Sequence, residues 1–141
     1  MSGSFDLVLN IEETFEYIVE VYPACKDRIV IERLEPMSAR IRYKVFKEDW
    51  RPGGTVSGPT IFTSADAAMW IMVLAMVGKK ALSVTSSANI YFLRKPSMQD
   101  LINEVTLLKL GKNSSVGDCL IYSEGGGSPV AKSSLTYFIP S

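Results

Sequence analysis

The sequence predicts an α+β fold in which a curled antiparallel sheet wraps one long central helix, with a second, amphipathic helix at the N-terminus. Three observations carry this. The run from Pro59 to Val77 is apolar on nearly every side; segments with strand periodicity lie before and after it; and short turn-forming clusters separate the later ones. A chain of 141 residues with 47% hydrophobic side chains is enough for one domain with its own core. Residues 1–141 are therefore read as one unit, with residues 1–24 as its N-terminal helical segment.

From Asn10 to Tyr22, Ile11, Phe15, Ile18 and Val21 recur at helical spacing, Asn10 and Glu13 form a capping pair, and Pro23 ends the run. RIVIERLE and SARIRYKVFK then flank Pro36. In the second, Ile41, Tyr43 and Val45 alternate with Arg40, Arg42 and Lys44, the period of a half-buried strand, so the two read as a hairpin. RPGGTVSGP is a loop rich in Gly and Pro. The uninterrupted apolar stretch after it, Ala67 to Val77, is well short of the roughly 20 residues a membrane span needs, and Asp66 would be costly in lipid, so this is a core helix. Met69, Trp70, Met72 and Met76 are expected to pack it, although methionines also suit an adaptable acyl pocket.

Beyond Gly78 come ALSVTSSANIYFL, MQDLINEVTLLKL, NSSVGDCLIYSE and SPVAKSSLTYFI, divided by KPS, GKN and GGG. Turn chemistry at that spacing predicts a continuous antiparallel meander. A buried helix between an early hairpin and a later meander is the hotdog arrangement.

Composition narrows the chemistry. Fifteen basic and fifteen acidic residues cancel, which removes the bulk charge of a nucleic-acid binder. There is no histidine, which excludes Ser-His-Asp and Cys-His nucleophilic sites and most catalytic zinc sites, so neither metal nor organic cofactor is expected. MSGSFDLVLN lacks the features of a targeting segment, and the isolated Cys25 and Cys119 fit reduced thiols, so a cytoplasmic location is expected.

The segment GTVSGPTIFTSAD resembles hotdog thioesterases of the phenylacetic-acid-degradation (PaaI-like) family, whose corresponding stretch reads Asn, two residues, Gly, two residues, His-Gly-Gly, six residues, Asp. Gly54, Gly58 and Asp66 keep that spacing, while Arg51, Ser57 and Pro59 stand in place of the Asn, the His and the second Gly. The similarity continues through SVTSSANIYFLRKP and LLKLGKNSSVGDCLIYSEGGGSPVAKSSLTYFIP and so covers the chain from about Arg28 to its end. It implies an acyl-coenzyme A thioesterase acting at a dimer interface, one chain giving the acid and the other a helix N-terminus. Self-association to a dimer or tetramer is therefore expected.

Under this resemblance Asp66 is nucleophile or general base, and the Gly58 N–H polarises the thioester carbonyl. Pro59 suits a first helical turn, and the Ser57 hydroxyl caps the helix or holds a water. Thr63 at i−3 and Pro59 at i−7 place a short polar stripe between the helix start and Asp66. A lone buried acid is more often a structural one, satisfied by Thr63, Ser64 or a partner chain. The spacing with Gly54 and Gly58 tips the reading toward catalysis.

Thr85, on the strand after the helix, reads either as a hydroxyl that positions water or as an ordinary strand threonine, and Asn89 shares its face at i+4. Arg51 and Gly54 complete the loop side of the substrate site. Arg94 and Lys95, with Lys109 and Lys112 from the next hairpin, are candidates for the coenzyme A phosphates, although basic residues at strand ends are usually just solubilising. The missing His and Asn motivate one alternative, a non-catalytic acyl or acyl-coenzyme A binding protein. A dehydratase ranks last, because related enzymes use a histidine.

Overall fold

The computed structural model describes residues 5–141; Met1 to Ser4, which belong to the N-terminal segment and to the leader reading, lie outside the described residues. Helix α1 spans Ile11–Val21, and its start is the predicted capping box: the Asn10 side chain accepts from the Glu13 N–H at 2.8 Å, and the Asn10 N–H donates to Glu13 Oε1 at 2.9 Å. Pro23 opens a short 3₁₀ turn, Pro23–Asp27. Strands β1 (Ile29–Glu35) and β2 (Ser38–Tyr43) form the expected hairpin. Arg40 and Arg42 point outward, where both pair with Glu32 across the strands while Ile41 and Tyr43 are buried.

The predicted loop contains a two-residue hairpin, β3 (Trp50–Arg51) with β4 (Thr55–Val56), turned by Gly53 and Gly54 at φ of 100° and 71°. Helix α2 runs Gly58–Val77, one residue earlier than the apolar run suggests, because Ser57 caps it. Ala65, Ala68, Met69, Ile71, Met72, Val73, Leu74 and Ala75 are all inaccessible to solvent. The helix is long and apolar enough to cross a membrane, yet most of that apolar stretch is buried inside the domain, as the short uninterrupted run suggested.

Strands β5 (Val84–Phe92), β6 (Leu101–Leu110), β7 (Ser114–Ser123) and β8 (Ala131–Phe138) join the first hairpin in one antiparallel sheet of order β1-β2-β6-β7-β8-β5. GKN and GGG make the turns expected of them, but the meander is not continuous. β5 pairs with β8, β6 pairs with β2, and the KPS segment crosses over instead of turning. The crossover is held at both ends: Leu93 and Arg94 donate to the Val130 carbonyl, and the Asp100 side chain accepts from the Val45 N–H. Inward residues of β6, β7 and β8, among them Leu101, Val105, Cys119, Ile121 and Leu135, pack on α2. Gly117 marks the closest crossing, since a Cβ there would lie 2.9 Å from Met69 Sδ. β1 and β5 are the sheet's two edge strands, and Val84, Tyr91, Phe92 and Leu93 are exposed on or beside β5.

Candidate active site

Asp66 lies at the end of the second turn of α2, where the helix passes from a partly exposed N-terminal stretch to its buried remainder. Its carboxylate is held on one side only. Thr85 Oγ1 on β5 donates to Oδ1 at 2.5 Å, and the Tyr137 hydroxyl on β8 lies 2.8 Å from the same oxygen and 3.0 Å from the Asp66 carbonyl. Both donors use Oδ1, so Oδ2 is unclaimed among the described residues. Asp66, Thr85 and Tyr137 together line a cavity of about 920 Å³, whose other walls include Tyr22, Trp70 and Leu82. Burial, and then the Asp66 charge, push the Tyr137 phenol far above its ordinary range, so it remains a proton donor throughout the neutral range.

The helix start is fixed by a second network. The Ser57 side chain accepts from the Thr60 N–H at 3.3 Å and its carbonyl accepts from the Ile61 N–H at 3.1 Å. Thr60 Oγ1 lies 3.4 Å from Asp49 Oδ1, and Asp49 accepts from the Phe46 N–H and pairs with Arg28 at 2.5 Å. Because Asp49 only accepts, the Thr60 proton goes to it, and the Ser57 proton goes to Thr60 at 2.8 Å. Ser57 is thereby committed as a cap. Pro59 has no N–H, so among the described residues the Gly58 N–H is the one donor of the first turn without an acceptor. The Phe92 ring faces Gly58, where a Cβ would lie 3.5 Å from it.

Several candidates fall elsewhere. Thr63 is exposed on the cavity rim, Pro59 is exposed at the helix start, and Arg51 and Gly54 stand on the exposed small hairpin. Asn89 does not share the face of Thr85. A β-bulge at Ser86 shifts the register, so Thr85 pairs with inward Tyr137 while Asn89 pairs with outward Ser134. Arg94 donates to the Pro129 carbonyl at 2.7 Å, and Lys95 is exposed next to it. Lys112 sits by the opposite end of β5, where Val84 and Ser114 both pair with Phe138, roughly 25 Å away along the strand, so these basic residues make no single cluster within one chain. Met69, Met72 and Met76 are core residues. Cys25 and Cys119 are free and buried; burial pushes the Cys25 thiol up to about 11. No group of three or more metal-ligating side chains converges among the described residues.

Sequence reasoning missed Tyr137, Arg28 and Asp49. The first was within reach, because Ser133, Leu135 and Tyr137 alternate inward along β8. The other two come together only through the fold.

The thioesterase superfamily matches residues 53–130 of this chain. Among solved structures, the chain is similar to a protein of Silicibacter sp. TM1040 described as a candidate thioesterase, at 41% identity over 98% of this chain and 96% of that one, with a TM-score of 0.90. It is similar in fold to a mutant form of phenylacetic acid degradation protein PaaI from Thermus thermophilus, at 18% identity over 84% and 99% of the two chains and a TM-score of 0.69. A hypothetical thioesterase protein from Streptococcus pneumoniae TIGR4, solved with coenzyme A, is similar at 18% identity over 94% and 98%, with a TM-score of 0.73. No curated protein matches.

Proposed function

Because the chain belongs to the thioesterase superfamily, we propose that it hydrolyses an acyl-coenzyme A thioester to the free acid and coenzyme A, with Asp66 as its catalytic acid-base or nucleophilic residue. The observation that carries this is the one-sided Asp66 carboxylate: Thr85 and Tyr137 hold Oδ1, and Oδ2 is left for a water or for the thioester carbon. In the general-base route, Oδ2 takes a proton from water as its oxygen adds to the carbonyl carbon. The carbonyl π electrons move to oxygen, the C–S bond then breaks, and the proton returns to the departing thiolate. In the nucleophilic route, Oδ2 itself adds to the carbonyl carbon, the C–S bond breaks to release the thiolate, and water hydrolyses the resulting mixed anhydride in a second step, returning the carboxylate and giving the free acid. Either way the oxyanion needs a fixed donor, and the unclaimed Gly58 N–H at a helix N-terminus suits it.

Those two groups do not serve one substrate within one chain. Eight residues of helix separate Gly58 from Asp66, roughly 12 Å along the axis, whereas attack and oxyanion binding take place within about 3 Å of the same carbon. A twofold pairing of the open β5 edges removes the difficulty. Thr85 sits beside Asp66, Phe92 sits beside Gly58, and an antiparallel β5 pair centred near Ala88 puts the Phe92 end of one chain opposite the Thr85 end of the other. The exposed Val84, Tyr91, Phe92 and Leu93 support covering this edge. The dimer would then hold two composite sites.

The solved thioesterase-like protein that holds coenzyme A supports that thiol as the leaving group. Arg94 and Lys95 lie between Phe92, whose ring packs near Gly58, and Pro96, whose carbonyl accepts from Thr55, and so are the basic residues best placed for its phosphates. Two buried, unpaired cysteines support a reducing compartment and hence the cytoplasm. A panel of acyl-coenzyme A esters, read by release of free thiol, tests the proposal. Steady turnover of at least one ester is expected; tight retention of every ester without thiol release would establish a binding protein instead.

A further inference from the structure

The cavity that holds the Asp66 carboxylate is also walled by Arg28, just before β1, and by Tyr43, the last residue of β2, neither of which the hydrolytic step uses. Tyr43 is only 8% exposed, and its hydroxyl, which still reaches the cavity's solvent, makes no hydrogen bond to another described residue. Arg28 lies with its guanidinium 4.8 Å from the Tyr43 ring centre and 4.7 Å from that of Phe46. Its Nη1 hydrogens go to the Lys44 carbonyl at 2.7 Å and to Asp49 Oδ2 at 2.5 Å, and Nη2 gives one hydrogen to Asp49 Oδ1 at 3.4 Å. That leaves the Nε hydrogen and one Nη2 hydrogen unspent. Ser83 Oγ, buried in a residue of the same lining, is likewise without a partner.

Unpaired polar groups make a poor wall for a hydrocarbon. An occupant made only of methylenes would strip water from them and return no hydrogen bond. We infer that the acyl group this enzyme prefers carries a second, neutral oxygen, a hydroxyl or a ketone remote from the thioester, and that Tyr43 and Arg28 bind it. This rests on the reading of the cavity as the acyl site. Charge decides between a neutral oxygen and a carboxylate. The Arg28 charge is already matched by Asp49, and the Asp66 carboxylate lines the same cavity, so a second carboxylate would find a like charge there and no unmatched cation to answer it. A hydroxyl or ketone needs only the unspent donors.

The test uses non-hydrolysable thioether analogues of acyl-coenzyme A, roughly four to ten carbons long, ending in methyl, hydroxyl, methyl ketone or carboxylate, titrated calorimetrically against the wild type and Tyr43→Phe. At the best length the hydroxyl or ketone analogue should bind about tenfold more tightly than its methyl match, and the carboxylate no more tightly than the methyl. Tyr43→Phe keeps the ring over Arg28 and should bring the neutral pair within about threefold. Equal binding of methyl and oxygenated analogues at every length would overturn the inference, as would tightest binding of the carboxylate or a preference that survives Tyr43→Phe. If that variant does not fold, the wild-type series decides alone. Thiol release from the matching thioesters keeps the two readings apart: preference without turnover removes hydrolysis and leaves this subsite standing, and turnover without preference does the reverse.

Discussion

Replacing Asp66 by Asn isolates the charge from the shape of the site. The amide oxygen can stay where Thr85 and Tyr137 donate, at 2.5 and 2.8 Å, which puts the NH2 group in the place of Oδ2, facing the cavity. That group has no lone pair to take a proton or attack a carbon. Loss of a positioned base lowers the rate by about 10² to 10⁴, or about 3–5 kcal/mol of barrier, and kcat should fall by that amount. The folded state loses less. Two hydrogen bonds change from charged to neutral, roughly 1 kcal/mol each before screening by the half-open cavity, so the melting temperature should drop by less than about 8 °C. Both quantities are to be measured on one gel-filtered sample: thiol release at saturating substrate well below the melting transition, and the thermal melt itself. A folded, associated Asp66→Asn protein with kcat within about threefold of wild type would refute the catalytic assignment. A large fall in stability with activity reduced only in proportion to folded protein would make Asp66 a structural acid.

Mixing subunits tests the composite site: Gly58→Pro removes the N–H at a position that tolerates proline, and neither it nor Asp66→Asn should be active alone. Co-refolded in equal amounts, half the dimers would contain one intact site, so about a quarter of wild-type activity should return, whereas a mixture as inactive as its parts would place the whole site within one chain. Burial by itself would raise the Asp49 pKa, but hydrogen bonds from Arg28 and the Phe46 N–H, with the Arg28 charge, outweigh it and hold it below the ordinary 3.8. Its stabilising effect is therefore present above that value and lost as pH falls through the lower folded value; Asp49→Asn should flatten the loss of stability below about pH 4, and an unchanged acid limb would show the pair to be inert. Exhaustive chelation should leave turnover unchanged, and a loss restored by zinc or manganese would contradict the chemistry proposed.

Much of this protein is legible in its sequence because the relevant physics is local. The Asn10 and Glu13 cap, the alternation of Ile41 and Tyr43, and the apolar run closed by Gly78 each depend on residues a few positions apart; both helices formed within a residue of where that pattern put them, and the strand formed but ended at Tyr43, short of Val45. Asp66 was conspicuous for the same reason, as the one acid in a greasy helix. Strand neighbours are another matter, since hydrogen bonding between strands is indifferent to chain order. Only the assembled sheet sends β5 past β6 to the far edge beside β8, and that choice brings Thr85 and Tyr137 to the same carboxylate oxygen. A single extra residue at Ser86 then reverses the face of Asn89, because strand side chains alternate with a period of two and one insertion inverts every position after it. The Arg28 and Asp49 pair, 21 residues apart in sequence, is likewise made by folding, since ion pairing is decided by distance in space and leaves no periodic trace along the chain.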